Sequence, residues 1–495
     1  MIDTKALRSK VLDLAVQGKL TEQLESDGTA EELYQQIQEE KQKLIKEGKI
    51  KKEKALQPIF NEEIPFEIPS NWRWCRFGEI LNIVSAKRVH QSDWQTSGVP
   101  FYRAREISKL CENGYVNNDL YISEELYKEY SKFGIPKAGD LMISAVGTLG
   151  KSYIVKETDK FYYKDASVLC IENIGKISSV FLSYILKSEM MKKQIKSNST
   201  GTTVDTLTMI KLIQYYIPLP PLAEQKRIVE RVEEIFKYLD IIDEAQKKYS
   251  ADAEILKNKL ITMGIQGKLT KQLDSDGAAE ELFEQIQNEK QKLIKEKKIP
   301  KEQKLPSISK EEISFNIPCN WKWVRVQDIA TYITDYVANG SFATLKAHTK
   351  TYKEPNYALF VRTMDLSCNF SETCSYIDKE SYDFLSKSQL FGGELILPNI
   401  GASIGKAFIM PNLNMPMSLA PNSILLKFTD TSMNKYFSYI VKSSFGQNLL
   451  TKSQGGSATA KFSKTDLRKL VVPLPPLAEQ KRIADTLDEV LRVIG

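Results

Sequence analysis

PLPPLAEQKRI occupies Pro218 to Ile228 and recurs unchanged at Pro473 to Ile483. A second pair of copies, Gln17 to Ile50 and Gln266 to Ile299, differs at seven of 34 positions, with no gap and a constant offset of 249. The chain is therefore a tandem repeat, and a repeat governs every later reading of a fold. Between these anchors, residues 61–216 and 313–471 agree only in scattered short pieces. A duplicated frame thus carries two different inserts, the pattern of two related domains that each bind something different.

The anchor has a direct physical reading. Pro218, Pro220 and Pro221 forbid helix before Leu222 and hold the chain extended, and Glu224 then falls in the first turn of a helix, where a negative charge is favoured. Apolar side chains follow at Ile228, Val232, Ile235, Leu239, Ile242, Tyr249, Leu256, Leu260 and Met263, with Gln246 and Ala253 filling the series. The alternating spacing of three and four predicts one coiled-coil seam along the whole helix, roughly 60 Å long at 1.5 Å per residue, and such a seam requires a partner. The two ends of the chain supply one. Leu477 to Gly495 copies 222–240, and Met1 to Val16 aligns with 250–265, Leu7, Val11 and Leu14 standing where Leu256, Leu260 and Met263 stand. The expected arrangement is a pseudo-two-fold circular repeat, with both end fragments antiparallel to the central helix and the inserts pointing opposite ways.

Ser26-Asp27-Gly28 predicts a turn into a helix that runs to about Glu47 and buries Leu33, Ile37 and Leu44. Thr29 and Glu32 have the spacing of a capping box. Asp27 is the expected N-cap, because the second copy replaces Thr29 with Ala278 and keeps Asp276. The lysine and glutamate on the remaining face read as a solvated surface. A lysine-rich connector from Lys49 to about Phe60 then leads to Ile68-Pro69-Ser70-Asn71-Trp72-Arg73-Trp74, echoed by Ile317-Pro318-Cys319-Asn320-Trp321-Lys322-Trp323. Within the inserts, strands are expected near 99–103, 141–145, 153–155 and 167–172, and near 357–361, 394–397, 407–409 and 423–428. Helices are expected near 123–131, 179–195 and 432–449. The fold class is α+β, with two α/β inserts separated by long antiparallel helices. The expected divisions are 1–60, 61–216, 217–312, 313–471 and 472–495. Each insert ends in a polar glycine loop, Ser199 to Thr203 and Gln454 to Ala458.

Composition sets bounds. The length of 495 residues, 42% of them hydrophobic and 27% charged, suits about three globular domains. Six cysteines form no CxxC pair and there are two histidines, so a metal site is not expected and free thiols in a reducing cytoplasm are. No apolar run approaches membrane-spanning length, and charges stand where a signal peptide would be apolar; a cytoplasmic protein without a membrane partner is expected. A net charge of +6 permits nucleic-acid binding without demanding it.

Taken together, the duplicated PLPPLAEQ anchor opening a long helix, the Trp72 and Trp321 entrances, and the run from Gly139-Asp140-Leu141 to Gly147-Thr148-Leu149-Gly150-Lys151 resemble the specificity subunit of a type I restriction-modification system. Gly393-Glu394-Leu395 to Gly401-Ala402-Ser403-Ile404-Gly405-Lys406 corresponds in the second insert, with one extra residue before the glycine. The resemblance covers nearly the whole chain. It implies that each insert is a target recognition domain reading one half of a split, asymmetric site in double-stranded DNA. It further implies that the helices set the spacing and dock two methyltransferase (modification) subunits, which restriction (motor-nuclease) subunits join. By the same resemblance this chain carries no cofactor and performs no chemistry, its partners using S-adenosylmethionine, ATP and Mg.

Tests for chemistry point the same way. An adenine methyltransferase takes its base out of the stack and grips it with an Asn/Asp-Pro-Pro-aromatic element, whereas here the Pro-Pro pairs lie in the anchors and are followed by Leu222 and Leu477. Gly150-Lys151-Ser152 resembles the end of a phosphate loop, yet the motif's first glycine falls on Ala145 and the second copy has Ala407 in place of the hydroxyl. His90 and His348 read as surface histidines. DNA contacts are expected from basic, amide and hydroxyl side chains of the inserts: Lys87, Arg88, Gln91, Arg103, Arg105, Lys151, Thr202 and Thr203, and Lys346, Arg362, Lys406, Gln454, Lys461 and Lys464. Arginine suits bidentate contact with guanine, amides suit adenine, and lysine more often holds phosphate. Arg103 and Arg362 stand out because each follows an aromatic strand-like run, and the competing reading for any of these is a surface salt bridge. The rival for the whole chain is a structural adaptor joining two protein partners without DNA.

Overall fold

The structure, a computed structural model, describes all residues except 53–55, 133–134, 148, 198–205, 453–460 and 495. It divides into two compact units, Met1–Lys247 and Lys248–Gly495. The division falls inside one helix of 44 residues, α3 (Leu222–Ile265), so each unit owns half of it.

Both units build the same frame. In the first, α1 (Thr4–Val16) and α2 (Ala30–Lys46) join a two-stranded antiparallel ribbon, β1 (Arg73–Arg76) on β2 (Tyr216–Leu219), and the first half of α3. In the second, the end of α3 and α4 (Ala279–Lys295) join β3 (Lys322–Arg325), paired with β4 (Val471–Leu474), and α5 (Leu477–Ile494). Helix α1 thus repeats the end of α3 and α5 repeats its beginning, the circular order of elements expected from the sequence.

The frame explains why the anchor tolerates no change between copies. Its glutamate is fully buried in each unit and accepts three hydrogen bonds. Glu224 takes Trp72 Nε1 at 2.7 Å, Gln23 Nε2 at 2.6 Å and Thr21 Oγ1 at 3.2 Å. Glu479 takes Trp321 Nε1 at 2.8 Å, Gln272 Nε2 at 2.6 Å and Thr270 Oγ1 at 3.4 Å. Burial pushes both carboxyl pKa values up, against the pull of these donors. Gln225 and Gln480 donate to Pro220 and Pro475 carbonyls, both at 2.9 Å. Arg227 and Arg482 clamp Asp27 and Asp276. Gly18 and Gly267 close α1 and α3 at φ +67° and +70°, where a β-carbon would also overlap Pro69 or Pro318.

The predicted cap is corrected at Asp27. Thr29 caps α2 in a box with Glu32, at 3.3 and 3.4 Å, while Asp27 sits in a preceding 3₁₀ turn and faces Arg227. An aspartate committed to an ion pair on α3 is not available to the start of α2. In the second copy Ala278 leaves α4 without a side-chain cap.

Both end fragments pack antiparallel to α3, each within its own unit. The Ile2 carbonyl accepts from Gln246 at 3.1 Å, Arg8 pairs with Asp240 at 2.8 Å and Asp243 at 3.1 Å, and Leu12, Ala15 and Val16 share a core with Ile228 and Val232. In the second unit Tyr249 donates to the Ile494 carbonyl at 3.2 Å, while Gly264 allows Ile483 and Leu487 to approach. The expected continuous seam is closed at its two ends only. Tyr249 and Leu256 are 59% and 45% exposed, and no residue from 240 to 260 is buried. Among the described residues the fragments taper there to polar contacts such as Tyr249 with Ile494, and mid-α3 buries no side chain.

The inserts share a core topology despite their divergence, with a second sheet of three strands in the first insert and five in the second. The first has a four-stranded antiparallel sheet in the order Asn82–Val84, Val168–Glu172, Leu141–Ser144, Ser152–Ile154; the second has Ala330–Asp335, Ser423–Phe428, Leu395–Pro398, Phe408–Ile409. A second sheet in each is centred on Val99–Tyr102 or Ala358–Val361, paired parallel to Tyr162–Tyr163 or Met417–Leu419. The helices expected over 179–195 and 432–449 are each two helices, broken at Ser188 and Ser443. Both serines are extended, and their hydroxyls accept from Met191 N at 3.3 Å and Gly446 N at 3.0 Å, which starts the next helix. Among the described residues no helix is long and apolar enough to cross a membrane.

Candidate nucleic-acid interface

In both inserts the chain leaves the first strand of the four-stranded sheet in a basic segment without a carboxylate. Leu81 to Ser92 contains Lys87 and Arg88; Tyr336 to Lys353 contains Lys346, Lys350 and Lys353. In the first unit two tyrosines hold this backbone. Lys87 N donates to Tyr162 Oη at 2.9 Å, and Tyr130 Oη donates to the Arg88 carbonyl at 3.2 Å. Burial pushes the Tyr162 hydroxyl up to about 12, so it stays a neutral hydrogen-bonding group. Val89 is buried beside Phe101 and Ile122, which leaves Lys87 and Arg88 outside. Lys87 lies 4.2 Å over the Tyr130 ring and 3.2 Å from Glu129. The Arg88 guanidinium meets no partner among the described residues, and Gln91 is exposed in the next turn.

Arg103 and Arg362 occupy equivalent places, each between the central strand of the second sheet and a short helix, and each is engaged internally. Arg103 bonds Glu106, which is fully buried, through Nε and Nη2 at 3.1 Å, and Asp119 at 3.0 Å. Arg105 bonds the same two acids at 2.7 and 3.0 Å. Burial alone would raise Glu106, but the two guanidiniums outweigh it and hold the carboxyl below its usual range. Arg362 bonds buried Asp365 at 3.1 and 2.6 Å and the Thr373 carbonyl at 2.9 Å. In each case the acid also accepts the arginine's own backbone N–H, so the pair fixes the start of the helix. Each guanidinium stays partly exposed, 28% and 33% at the side chain, on the side turned away from its carboxylate.

The other candidates divide in the same way. Lys151 pairs with Glu112 at 3.2 Å and lines a cavity facing α1. Lys464 pairs with Asp335 at 2.7 Å. Lys346, Lys406 and Lys461 are exposed and meet no partner among the described residues. Thr202, Thr203 and Gln454 lie outside the described residues, but the chain re-enters at matching places, Thr206 bridging to Val146 and Lys461 to Ile400. The sequence reading missed Phe342, 83% exposed within the acid-free segment; the absence of carboxylates from 336 to 353 was the available signal.

Gly150-Lys151-Ser152 forms a hairpin turn between Leu141–Ser144 and Ser152–Ile154, with Gly150 at φ +80°. A phosphate loop opens a helix; this one opens a strand.

Comparison with known proteins agrees with the architecture. The model of the "Type I restriction modification DNA specificity domain" matches residues 69–249 and again 318–494. The chain is similar to the type I restriction enzyme EcoEI specificity subunit of Escherichia coli, 25% identical over 99% of this chain and 89% of that one. It is 26% identical to the EcoAI specificity subunit of the same organism over the same shares. A solved structure described as the "structural basis underlying complex assembly and conformational transition of the type I R-M system" shares the fold, with a TM-score of 0.57, 17% identity and coverage of 87% of this chain and 92% of that one. Two matched domains spanning most of the sequence, on a frame duplicated down to its buried hydrogen bonds, place this chain in the type I restriction-modification DNA specificity family.

Proposed function

We propose that this chain is the non-catalytic DNA-specificity subunit of a type I restriction-modification complex, with residues 61–216 and 313–471 each reading one half of a bipartite, asymmetric site. The observation that carries this is the pairing of a duplicated frame, identical in its anchors, with two inserts of one core topology and unrelated surface residues. A structural adaptor would need neither unlike inserts nor the acid-free basic segment that each presents. Recognition is assigned first to Lys87, Arg88 and Gln91 and to Lys346, Lys406 and Lys461, with Thr202, Thr203 and Gln454 on the adjoining loops.

The exposed apolar positions of mid-α3, Tyr238, Ile241, Tyr249, Ile255 and Leu256, support docking of two methyltransferase subunits on the helices. Restriction subunits would join that assembly in the cytoplasm, and methyl transfer and DNA cleavage would belong to the partners, with their S-adenosylmethionine, ATP and Mg. The test is binding of the chain with its methyltransferase subunits to duplex DNA at several salt concentrations. Affinity should fall steeply as salt rises, because phosphate contacts release counterions. Salt-independent association, or no DNA binding, would favour the adaptor.

A further inference from the structure

The helix Phe342–His348 in the second unit is held firmly yet presents its largest apolar side chain to solvent. Ser341 Oγ accepts from Thr344 N at 3.3 Å and fixes the first turn. Leu345, 3% exposed, enters a core with Ala358, Phe360, Ile377 and Leu385. The segment is pinned before and after as well: Tyr336 lies edge-on to Phe360 at 5.7 Å and donates to Thr349 Oγ1 at 3.2 Å, and His348 lies edge-on to Phe384 at 4.9 Å. Phe342, 83% exposed, and Lys346 are four residues apart and therefore adjacent on one helix face. Isolated exposed hydrophobics are ordinary on protein surfaces. This one is a rigid aromatic ring beside an unpartnered ammonium, within eighteen residues, Tyr336 to Lys353, that carry three lysines and no acid.

Charge selects the occupant. The charges within the segment around the ring are all basic, and the carboxylate that touches it, Asp378, is engaged by Tyr352 Oη at 2.9 Å and Ser381 N at 2.8 Å, so the face complements a groove, where phosphates flank the base edges and base steps can be parted by an inserted side chain. We propose that Phe342 is a wedge that packs against a base-pair step of the half site read by residues 313–471 and partly unstacks it, while Lys346 holds a neighbouring phosphate. The inference rests on the reading of that insert as a DNA-binding domain. It is asymmetric. The corresponding basic segment of the first unit, Leu81 to Ser92, contains no Phe, Tyr or Trp, its one ring being the imidazole of His90, and Trp94 just beyond it packs on Phe101 at 6.3 Å. Distortion is therefore expected in one half site and not in the other.

The test uses the full chain with its methyltransferase subunits and a duplex carrying the bipartite site mapped from that complex's own methylation. Permanganate reactivity of thymines reports unstacking, and affinity is measured across salt concentrations for the wild type, Phe342→Ala, Phe342→Trp and Lys346→Gln. Beyond the thymines left opposite the adenines that the methyltransferase subunits flip in both half sites, wild-type complex should make a further thymine reactive in the second half site alone. Phe342→Ala should abolish that reactivity and weaken binding about 5- to 100-fold, as for loss of one base stack, with the salt slope unchanged. Phe342→Trp should retain both signals, and Lys346→Gln should reduce the salt slope by about 1. Because the ring is exposed, Phe342→Ala should melt with the wild type. Wild-type binding to the second half site without that further reactivity, or Phe342→Ala that binds and reacts like wild type, overturns the wedge alone. Loss of methyltransferase co-purification in Phe342→Ala with DNA contacts intact makes this face a protein dock and also overturns it. If replacing 313–471 leaves the second half site unchanged, the underlying DNA reading fails instead.

Discussion

Replacing Glu224 with alanine should be among the most damaging single changes to the first unit. Glu224 is fully buried and takes hydrogen bonds from Trp72 and from Thr21 and Gln23 of one loop, so it ties together two separate stretches of the frame. Alanine leaves the buried Trp72 indole N–H without an acceptor, whereas exposed Gln23 can turn to water, and an unsatisfied buried donor costs about 1–3 kcal/mol. With the added void, the loss should be about 2–4 kcal/mol, a large share of the ~5–15 kcal/mol available to a domain. Glu224→Gln keeps the shape and one acceptor oxygen but turns an NH₂ towards the same donors, so its cost should be about 1–2 kcal/mol. Urea denaturation followed by tryptophan fluorescence reports the difference, and Glu479→Ala should show the same effect in the second unit, where Trp321 stands in for Trp72. If Glu224→Ala unfolds within about 0.5 kcal/mol of the wild type, buried hydrogen bonding is not what keeps the two anchors identical.

Other outcomes follow from the same contacts. Arg227 and Arg482 hold the carboxyls of Asp27 and Asp276 below their ordinary value of 3.8, so these pairs stabilise the fold above that value and the contribution is lost as pH falls below about 4. Asp27→Asn should lower stability at neutral pH and flatten the acid limb of a melting-temperature profile. Arg362→Ala strands Asp365, 1% exposed at its side chain, and should destabilise the second unit by about 2 kcal/mol in urea titration. Four residues inserted between Tyr249 and Leu256 lengthen α3 by roughly 6 Å, against about 3.4 Å per base pair. Methylation mapping should then find a spacer longer by up to about two base pairs, and an unchanged spacer in an active variant would argue against a ruler.

The frame was legible because its signals are repetitive: the prolines before Leu222, the periodicity into Ile228 and Val232, and the copied ends that pair with α3. The shared insert topology was only partly legible. Strands such as Tyr162–Tyr163 are two residues long, and Ala330–Asp335 alternates weakly because its neighbours in the sheet, rather than its own pattern, decide its burial. The break at Ser188 was invisible, since Lys187 and Glu189 both favour helix, while Ser444 and Gly446 gave only a weak signal of the break at Ser443; both stops depend on a serine hydroxyl turning to cap the next helix. Retention of Asp276 beside Ala278 in the second copy favoured Asp27 as a cap over the locally spaced Thr29 box, but the aspartate is kept for a partner 200 residues away, Arg227. Arg103 and Arg362 stood out because each follows an aromatic strand-like run; the acid three residues later in both copies was the sequence evidence for the ion pair each forms.

The central claim is that the two inserts read DNA independently. Exchange of residues 61–216 for the insert of another specificity subunit, followed by mapping of methylated adenines in DNA exposed to the assembled complex, tests it most directly. One half of the recognised site should change while the other half and the spacer stay as they were. Simultaneous change of both halves, or a site that does not change at all, would contradict it.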